Sequence, residues 1–558
     1  MERLQIPLTS VLSFILSFGV PCACHGAPPQ DRDPDPNSEW PQTRAERTDF
    51  RETSHYADVL EFIEDLQAKG APVAVQFIGV STQGHKIPLV IASRPPVAGP
   101  ADARRTGKLV VYVQANIHAG EVEGKEAVLT LLRELARSPD GGLLDKIVLL
   151  TTPIYNIDGN ETRGPWQRNR RSQNEPEVVG TRTNGQGLDL NRDGMKAESP
   201  EMRAALRFIY TTWDPEVLVD LHATNGTRHG YPLTYSPPLH PDTQNDLLQY
   251  NRDELLAAVR RRMRRDFGME TFVYGNVPRN GTSQGWYQSA PDPRRITNYV
   301  GLRNRLAILS EATCYLPFRQ RVATTRHFLL TVLEEIGRRQ QRILHLTREA
   351  DARVIGWGMQ PETAPALTVR YQIVSRGAEE ILLEKATSDG GSSRARRITP
   401  PRDFISVQMP VYDRFEPTKT ARFPASYFIP STFHPTVELL RRHGIVVEKL
   451  LADWKGPTEA FVIDEIVSAE RPFQGHILKE LGGHFESIEK EIPKGSYLVR
   501  TAQPLGILIF HLLEPESIDG VAAWGFLDPA LRARKHYPIH KCFDQVRVAT
   551  ERLPSYGQ

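Results

Sequence analysis

The sequence predicts an α/β protein with a mixed, mostly parallel sheet flanked by helices, followed by a smaller C-terminal domain of α/β or β-rich type. Two observations support this prediction. Apolar runs of strand length alternate with amphipathic runs of helical length through about residue 350, which is the order that places helices on both faces of a sheet. Beyond that point, ALTVRYQIVS and DFISVQM indicate β-strands, with the Gly/Ser/Arg tract SDGGSSRARR between them.

The predicted elements follow one another in order. SHYADVLEFIEDLQAKG predicts a first helix, which begins at Ser54 and ends at Gly70. Two strands around a Thr-Gln-Gly turn follow in VAVQFIGVSTQGHKIPLVIAS. KLVVYVQANIH predicts a buried strand that leads into the amphipathic helix EGKEAVLTLLRELARS, and three more strands are predicted in DKIVLLTTPIYN, EVLVDLHA and RLAILSEA. HFLLTVLEEIGRRQQRILHLTREAD predicts one long closing helix near residues 327–351.

The chain divides into four predicted segments. Residues 1–27 are predicted as a signal peptide, because residues 8–20 are almost wholly apolar, too few to span a bilayer, and followed by the small-residue stretch PCACHGA. The proline-rich residues 28–47 are predicted as an exposed linker. Residues 48–351 form the predicted main domain, and residues 352–558 form a predicted accessory domain of unknown role.

The signal peptide predicts a secreted or periplasmic protein. Its cleavage would remove Cys22 and Cys24, with a lipid anchor at one of them as the alternative. No later segment reaches 18 apolar residues, so we expect no membrane span after signal removal. The chain has 69 Lys+Arg and 67 Asp+Glu, and this balance gives no reason to expect nucleic acid as a partner.

Polar side chains follow directly on three of the predicted strands. His118 and Glu121 follow KLVVYVQANI, while His222 follows EVLVDL and Glu311 follows RLAILS. Ligands of open α/β sheets bind beyond the carboxyl ends of the strands, so we expect these side chains at one edge. Two imidazoles and one carboxylate form a His₂Glu set with an open fourth position, which is typical of a catalytic zinc site.

A second pattern in the same region indicates a site for an anion. Asn191 and Arg192 follow a short apolar stretch in GLDLNRDG. The guanidinium group of arginine matches a carboxylate geometrically, and asparagine adds a donor beside it. We therefore expect a carboxylate of the ligand at this pair.

HAGE, NIDGN, DLNRD, VDLHATNG and LSEA resemble, in this order, the motifs of the zinc metallocarboxypeptidase family typified by carboxypeptidase A. The resemblance runs from about residue 50 to about residue 345 and implies a carboxypeptidase A-like catalytic domain. It implies that His118, Glu121 and His222 bind one zinc ion per chain. It also implies that Glu311 is the general base and acid.

The resemblance assigns the remaining roles as well. Asn191 and Arg192 match the residues that hold the terminal carboxylate of the substrate. Asp189 matches the carboxylate that orients His118. Arg170 matches the arginine that polarises the scissile carbonyl, although WQRNRR also permits Arg168 in this role.

One family residue has two candidates in this chain. A tyrosine that closes over the substrate is expected roughly two dozen residues before Glu311. Tyr287 in GWYQSA fits this spacing, and Tyr299 in TNYVGLRNR is its rival.

These features predict an exported zinc-dependent carboxypeptidase that hydrolyses the C-terminal bond of peptides with a free terminal carboxylate. One alternative is a zinc amidase of the same fold that acts on cell-wall peptides or N-acyl amino acids. Another is a catalytically silent binding protein that has kept the fold. The presence of Glu311 argues against this last alternative, because binding alone requires no general base.

Overall fold

A computed structural model describes residues 39–138, 142–171, 173–224, 226–278, 284–385, 403–531 and 535–556. The predicted signal peptide, most of the predicted linker and the Gly/Ser/Arg tract lie outside these residues. The last four residues of the predicted linker form a short helix, Arg44–Arg47. Among the helices in the described ranges, none has both the length and the apolar character needed to cross a membrane.

The helices are distributed along the described residues. In chain order they are α1 (Arg44–Arg47), α2 (Tyr56–Ala68), α3 (Pro100–Thr106), α4 (Glu123–Arg137), α5 (Ile157–Glu161), α6 (Trp166–Asn169), α7 (Pro200–Ala204), α8 (Asn245–Gln249), α9 (Leu256–Phe267), α10 (Ile296–Gly301), α11 (Phe318–Arg338), α12 (Gln340–Met359), α13 (His434–Arg442), α14 (Gly506–Leu513) and α15 (Asp528–Leu531). Helix α7 continues as the π-helix Ala205–Trp213, and the π-helix Tyr250–Leu255 joins α8 to α9. Short 3₁₀ helices span Leu143–Asp145, Leu190–Arg192 and Pro361–Thr363.

The longest strands lie in the second half of the chain. In chain order they are β1 (Val73–Val80), β2 (Lys86–Ala92), β3 (Leu109–Ala115), β4 (Ile147–Thr152), β5 (Gly164–Pro165), β6 (Val178–Val179), β7 (Val217–Thr224), β8 (Leu233–Ser236), β9 (Thr271–Val273), β10 (Trp286–Tyr287), β11 (Leu306–Thr313), β12 (Leu367–Glu384), β13 (Phe404–Ala421), β14 (Ser426–Ile429), β15 (Glu448–Leu450), β16 (Trp454–Ser468), β17 (Lys479–Ile492), β18 (Tyr497–Arg500), β19 (His540–Cys542) and β20 (Thr550–Arg552).

An eight-stranded mixed sheet organises the first part of the chain, in the order β1-β2-β4-β3-β7-β11-β8-β9. The four central strands β4, β3, β7 and β11 are parallel to their neighbours within this group. Every residue of β3, β4 and β7 is buried, as expected for strands covered on both faces. The predicted mixed, mostly parallel α/β fold is therefore confirmed.

The single closing helix predicted near residues 327–351 is wrong, because this segment forms the two helices α11 and α12. They meet at Arg339, whose φ of −114° and ψ of 18° lie outside the helical region. Helix α11 packs against α4 and α9, whereas α12 contacts α8 and α14. The sequence RRQQR at the break consists of good helix formers, so packing against different partners breaks the helix.

The C-terminal part is β-rich and shares a sheet with the first part. Strands β12 and β13, of 18 residues each, pair as an antiparallel hairpin. The short strand β10 adds to this hairpin parallel to β13, with Tyr287 opposite Tyr412. A separate seven-stranded sheet follows, in the order β17-β16-β19-β14-β18-β15-β20. The two parts of the chain are thus joined by backbone hydrogen bonds as well as by side chains.

A buried carboxylate also holds the two parts together. Asp242, which precedes α8, accepts hydrogen bonds from the backbone N–H of Thr368 at 2.9 Å and from its Oγ1 at 2.8 Å. His511 of α14 places its Nε2 2.8 Å from the same carboxylate. Burial alone would raise the pKa of Asp242, but the bond and the charge of His511 outweigh it and hold the pKa below its usual value.

Replacing Asp242 by alanine should destabilise the protein by about 2–4 kcal/mol, because two buried donors and an imidazole lose their acceptor. The measurement is the free energy of unfolding from urea titration followed by tryptophan fluorescence. Asp246→Ala is the control: this side chain is half exposed and, among the described residues, its ion-pair partner is Arg353 at the surface, so its loss should cost less than about 1 kcal/mol. Equal stabilities of the two variants would contradict a role for Asp242 in joining the parts.

Candidate active site

Two neighbouring strands bring the predicted metal ligands together. His118 and Glu121 lie on the turn between β3 and α4, where the Glu121 N–H donates to the His118 carbonyl at 2.9 Å. His222 lies near the end of β7, which pairs with β3 in parallel. Because the carboxyl ends of parallel strands meet at one edge, the turn and the strand end face each other there.

The three side chains converge on one point. Nδ1 of His118 lies 3.0 Å from Oε1 of Glu121, and Nδ1 of His222 lies 3.0 Å from Oε2. The two Nδ1 atoms are 3.2 Å apart. All three residues are at most 4% exposed, and one ligand atom of each lies within 4.8 Å of the others. We call these residues the metal triad; their donor set and convergence fit a zinc ion.

A carboxylate holds the second nitrogen of each imidazole. Nε2 of His118 lies 3.1 Å from Asp189, and Nε2 of His222 lies 2.8 Å from Asp220. Such contacts fix the ring orientation and leave Nδ1 free to ligate. The resemblance supplied Asp189, but the sequence analysis missed Asp220. The signal was available, since residues i and i+2 of a strand point to the same face.

Glu311 lies beside the metal triad. In the parallel pairing of β11 with β7, Glu311 is directly opposite His222. The side chain is half-buried and lines the same cavity as the triad. Its enclosure raises the pKa of the carboxyl above its usual value, and the charge of His222 opposes this shift.

Two arginines approach the triad from different sides. Nη1 of Arg170 lies 3.0 Å from Oε1 of Glu121, and this side chain is only 8% exposed. Its rival Arg168 is exposed and contacts Asn169. Arg182 contacts Asp189 at 2.8 Å and, unlike Arg170, is among the residues that line the cavity. Sequence reasoning missed Arg182, because it stands in a polar loop without periodicity.

Asn191 and Arg192 lie together at the cavity wall, on the 3₁₀ helix Leu190–Arg192. The Asp189 carboxylate caps this helix by accepting the Asn191 N–H at 2.9 Å. The Asn191 carbonyl of the side chain accepts the Ile296 N–H at 3.0 Å. Burial and the charge of Arg295 lower the pKa of Arg192 to about 10, which leaves the guanidinium charged at neutral pH.

Neither predicted tyrosine lines the cavity among the described residues. Tyr299 is fully buried, with its hydroxyl 2.8 Å from His443 Nδ1. Tyr287 stacks on Tyr412 of β13, with ring centroids 4.2 Å apart. Tyr274, which sequence reasoning missed, does line the cavity. Burial and then the nearby Glu311 raise its pKa, so its hydroxyl keeps its proton.

The cavity has a volume of about 360 Å³ and contains the metal triad and Glu311 together with Asn191, Arg192, Arg182 and Tyr274. It is thus large enough for one or two amino-acid residues of a ligand. A His₂Glu set with a carboxylate beside it is the donor arrangement of a zinc-dependent hydrolase, and the arginines that line the cavity suit an anionic ligand.

Comparisons with known proteins point to the same family as the sequence motifs. Residues 59–320 match the model of the zinc carboxypeptidase family. Carboxypeptidase 2 of Trichophyton rubrum is 24% identical over 480 residues, which are 83% of this chain and 81% of the relative. Carboxypeptidase 2 of Trichophyton equinum is 23% identical over 479 residues, with the same coverage of 83% and 81%. The resemblance found in the sequence is confirmed.

Solved structures of carboxypeptidases align with about half of this chain at low identity. A metallo-carboxypeptidase from Burkholderia cenocepacia is 19% identical, over 50% of this chain and 68% of that chain, with a TM-score of 0.37. Carboxypeptidase A from Helicoverpa armigera is 15% identical, over 52% of this chain and 75% of that chain, with a TM-score of 0.38.

Replacing Asp220 by asparagine should weaken zinc binding about 10–100-fold, because the imidazole of His222 loses the charge that orients it and raises its basicity. The measurement is the dissociation constant for zinc, determined by competition with a chelator. Asp65→Asn, at an exposed position of α2, is the matched control and should leave the constant unchanged. Unaltered zinc affinity in the Asp220 variant would contradict this role.

Proposed function

We propose that the protein is a carboxypeptidase that hydrolyses the C-terminal peptide bond of peptides, with one zinc ion per chain held by the metal triad. The observation that carries this proposal is the shared cavity. One enclosed space holds the triad, the Glu311 carboxylate and the Asn191–Arg192 pair. An ion, a base and an anion-binding pair are the three parts that exopeptidase chemistry at a carboxyl terminus requires.

The residues divide the chemistry among them. A zinc ion held by His118, Glu121 and His222 would polarise the scissile carbonyl and lower the pKa of a bound water. Glu311 takes a proton from the attacking water and delivers it to the leaving nitrogen. Its position opposite His222 and its raised pKa suit a group that must both accept and return a proton.

Positively charged side chains complete the proposed mechanism. Asn191 and Arg192 bind the terminal carboxylate and so fix which bond reaches Glu311. Arg182 faces the cavity, and Arg170 is buried behind Glu121. We therefore assign stabilisation of the developing oxyanion to Arg182 in this conformation, with Arg170 holding the Glu121 carboxylate in place.

The accessory part contributes to the same site through one hairpin. Strands β16 and β17 are joined by a turn in which Gln474 and Gly475 have φ of 51° and 84°, as in the tight turns that favour left-handed residues. Gln474 Oε1 accepts the backbone N–H of Asp189 at 2.8 Å. We propose that this contact positions the 3₁₀ helix that carries Asn191 and Arg192.

The N-terminal residues support export as part of this proposal. The apolar run at residues 8–20, followed by small residues, has the features of a cleaved signal. A secreted or periplasmic carboxypeptidase would meet peptides from its surroundings.

Replacing Glu311 by glutamine should lower kcat at least about 10³-fold while leaving about one zinc per chain, because the amide cannot take a proton. The measurements are metal content and the release of free amino acids from a mixed peptide pool. Glu349→Gln, at an exposed position of α12, is the matched control. Zinc without release in the wild type would favour an amidase and call for muropeptide and N-acyl amino acid substrates. No zinc in the folded wild type would refute the mechanism.

Replacing Gln474 by alanine should raise KM about 5–10-fold with little change in kcat, because the Asp189 N–H loses its acceptor and the carboxylate-binding helix shifts. Arg192→Ala removes the binding group itself and should raise KM further. The measurement is steady-state hydrolysis of an acylated dipeptide. Gln76→Ala, at an exposed position of β1, is the control, and a Gln474 variant that matches it would contradict the proposed positioning.

A further inference from the structure

The cavity contains more positive charge than one terminal carboxylate needs. Arg182, Arg192 and Arg295 all line it, whereas Glu121 and Glu311 are the carboxylates among its described lining residues. In the proposed function, Arg182 faces the reacting carbonyl and Arg192 binds the terminal carboxylate. Arg295 therefore has no assigned ligand, although its side chain is mostly enclosed, with 26% exposed.

Arg295 is poorly paired within the protein. Its Nε is buried and has no hydrogen-bond partner among the described residues. The nearest carboxylate, Asp292, lies 3.6 Å from that atom, which is beyond hydrogen-bond distance. Asp292 already accepts the hydroxyl of Tyr371 at 2.7 Å. A largely enclosed guanidinium whose positive charge is so weakly paired within the protein is suited to bind an anionic ligand.

The preceding arginine shows what a structural role looks like in this loop. Nε of Arg294 lies 2.7 Å from the Asp519 carboxylate, and the backbone N–H of Arg294 donates to the same carboxylate at 2.8 Å. Its guanidinium also stacks over Phe473 and Trp524. Adjacent arginines thus point to different environments: Arg294 forms a close ion pair with Asp519 of the accessory part, whereas Arg295 lines the cavity.

Arg192 and Arg295 lie close enough to influence each other. Burial and the charge of Arg295 lower the pKa of Arg192 to about 10, since like charges in one enclosed space repel each other. A ligand with two negative groups would relieve this repulsion. The polar side chains of Ser236, Thr297 and Asn298 line the same cavity and offer hydrogen bonds rather than an apolar surface.

We propose that the cavity selects peptides whose C-terminal residue has an acidic side chain, with Arg295 as the residue that binds this second carboxylate. Asn191 and Arg192 bind the terminal carboxylate of the same residue. This inference rests on the proposed function and adds the substrate class to it.

The test uses three acylated dipeptides that differ only in their C-terminal residue: glutamate, glutamine or phenylalanine. Wild type should cleave the glutamate substrate at least about 10-fold better in kcat/KM than the glutamine substrate, which has the same shape without the charge. Arg295→Gln should lower kcat/KM for the glutamate substrate about 30-fold and change the other two less than about threefold. Arg295→Lys should recover part of the preference because it keeps the charge.

The control and a binding measurement complete the design. Arg265→Gln, at an exposed position of α9, should leave kcat/KM unchanged for all three substrates. Calorimetric titration of the zinc enzyme with free L-glutamate and L-glutamine, which need no turnover, should show tighter binding of glutamate that Arg295→Gln abolishes.

Three results would overturn the inference. The first is an equal loss of kcat/KM for all three substrates in Arg295→Gln, which would place Arg295 on the terminal carboxylate. The second is a wild-type preference for the phenylalanine or the glutamine substrate. The third is equal binding of free L-glutamate and free L-glutamine. Absence of release from every peptide would refute the proposed function instead. In that case, the calorimetric titration would still test the acidic subsite, because tighter binding of glutamate would support it and equal binding would reject it.

Discussion

The active site depends on the Glu121 carboxylate, which is only 3% exposed and yet charged. Burial alone would raise the pKa of Glu121, but the charges of Arg170 and His118 outweigh it and hold the pKa well below its usual value. The N–H of Ala223 in β7 also donates to this carboxylate at 3.0 Å. The same group therefore joins the β3–α4 turn to β7 and sets the spacing of the two imidazoles. A buried carboxylate with this many partners keeps its position before any metal binds.

The C-terminal part extends this organisation to the outer wall of the cavity. Gln474 bonds the backbone of Asp189, and Asp519 holds Arg294 beside Arg295. Tyr371 of β12 bonds Asp292. Each contact is made to a loop of the first part rather than to a strand of its sheet. Loops need such external support because they lack the regular hydrogen bonds of strands, and this explains why a site formed by the first part contacts residues so distant in sequence.

The sequence was sufficient for the central sheet and the metal triad, because apolar strands that end in polar residues give a local signal. The same logic could have found Asp220, two residues before His222 on one face of a strand. It could not find Arg182 or Tyr274, whose loops have no periodicity and reach the cavity only through tertiary packing. The break between α11 and α12 was missed for a similar reason: the residues around it favour a helix, and contacts with different parts of the protein decide otherwise.

Under the proposed function, the charges of the cavity explain how a centre with two carboxylates receives an anionic peptide terminus. Without the arginines, Glu121 and Glu311 would repel a carboxylate that entered the cavity, since Coulomb energies are large where water is scarce. Arg170 is bound to Glu121 from behind, and Arg182 is bound to Asp189 at the wall, so both partly neutralise the centre itself. Arg192 is 4.0 Å from Asp189, and this looser contact leaves its charge available to a ligand. The arginines closest to the triad thus compensate the carboxylates of the centre, and in the proposed function those farther along the wall attract the substrate.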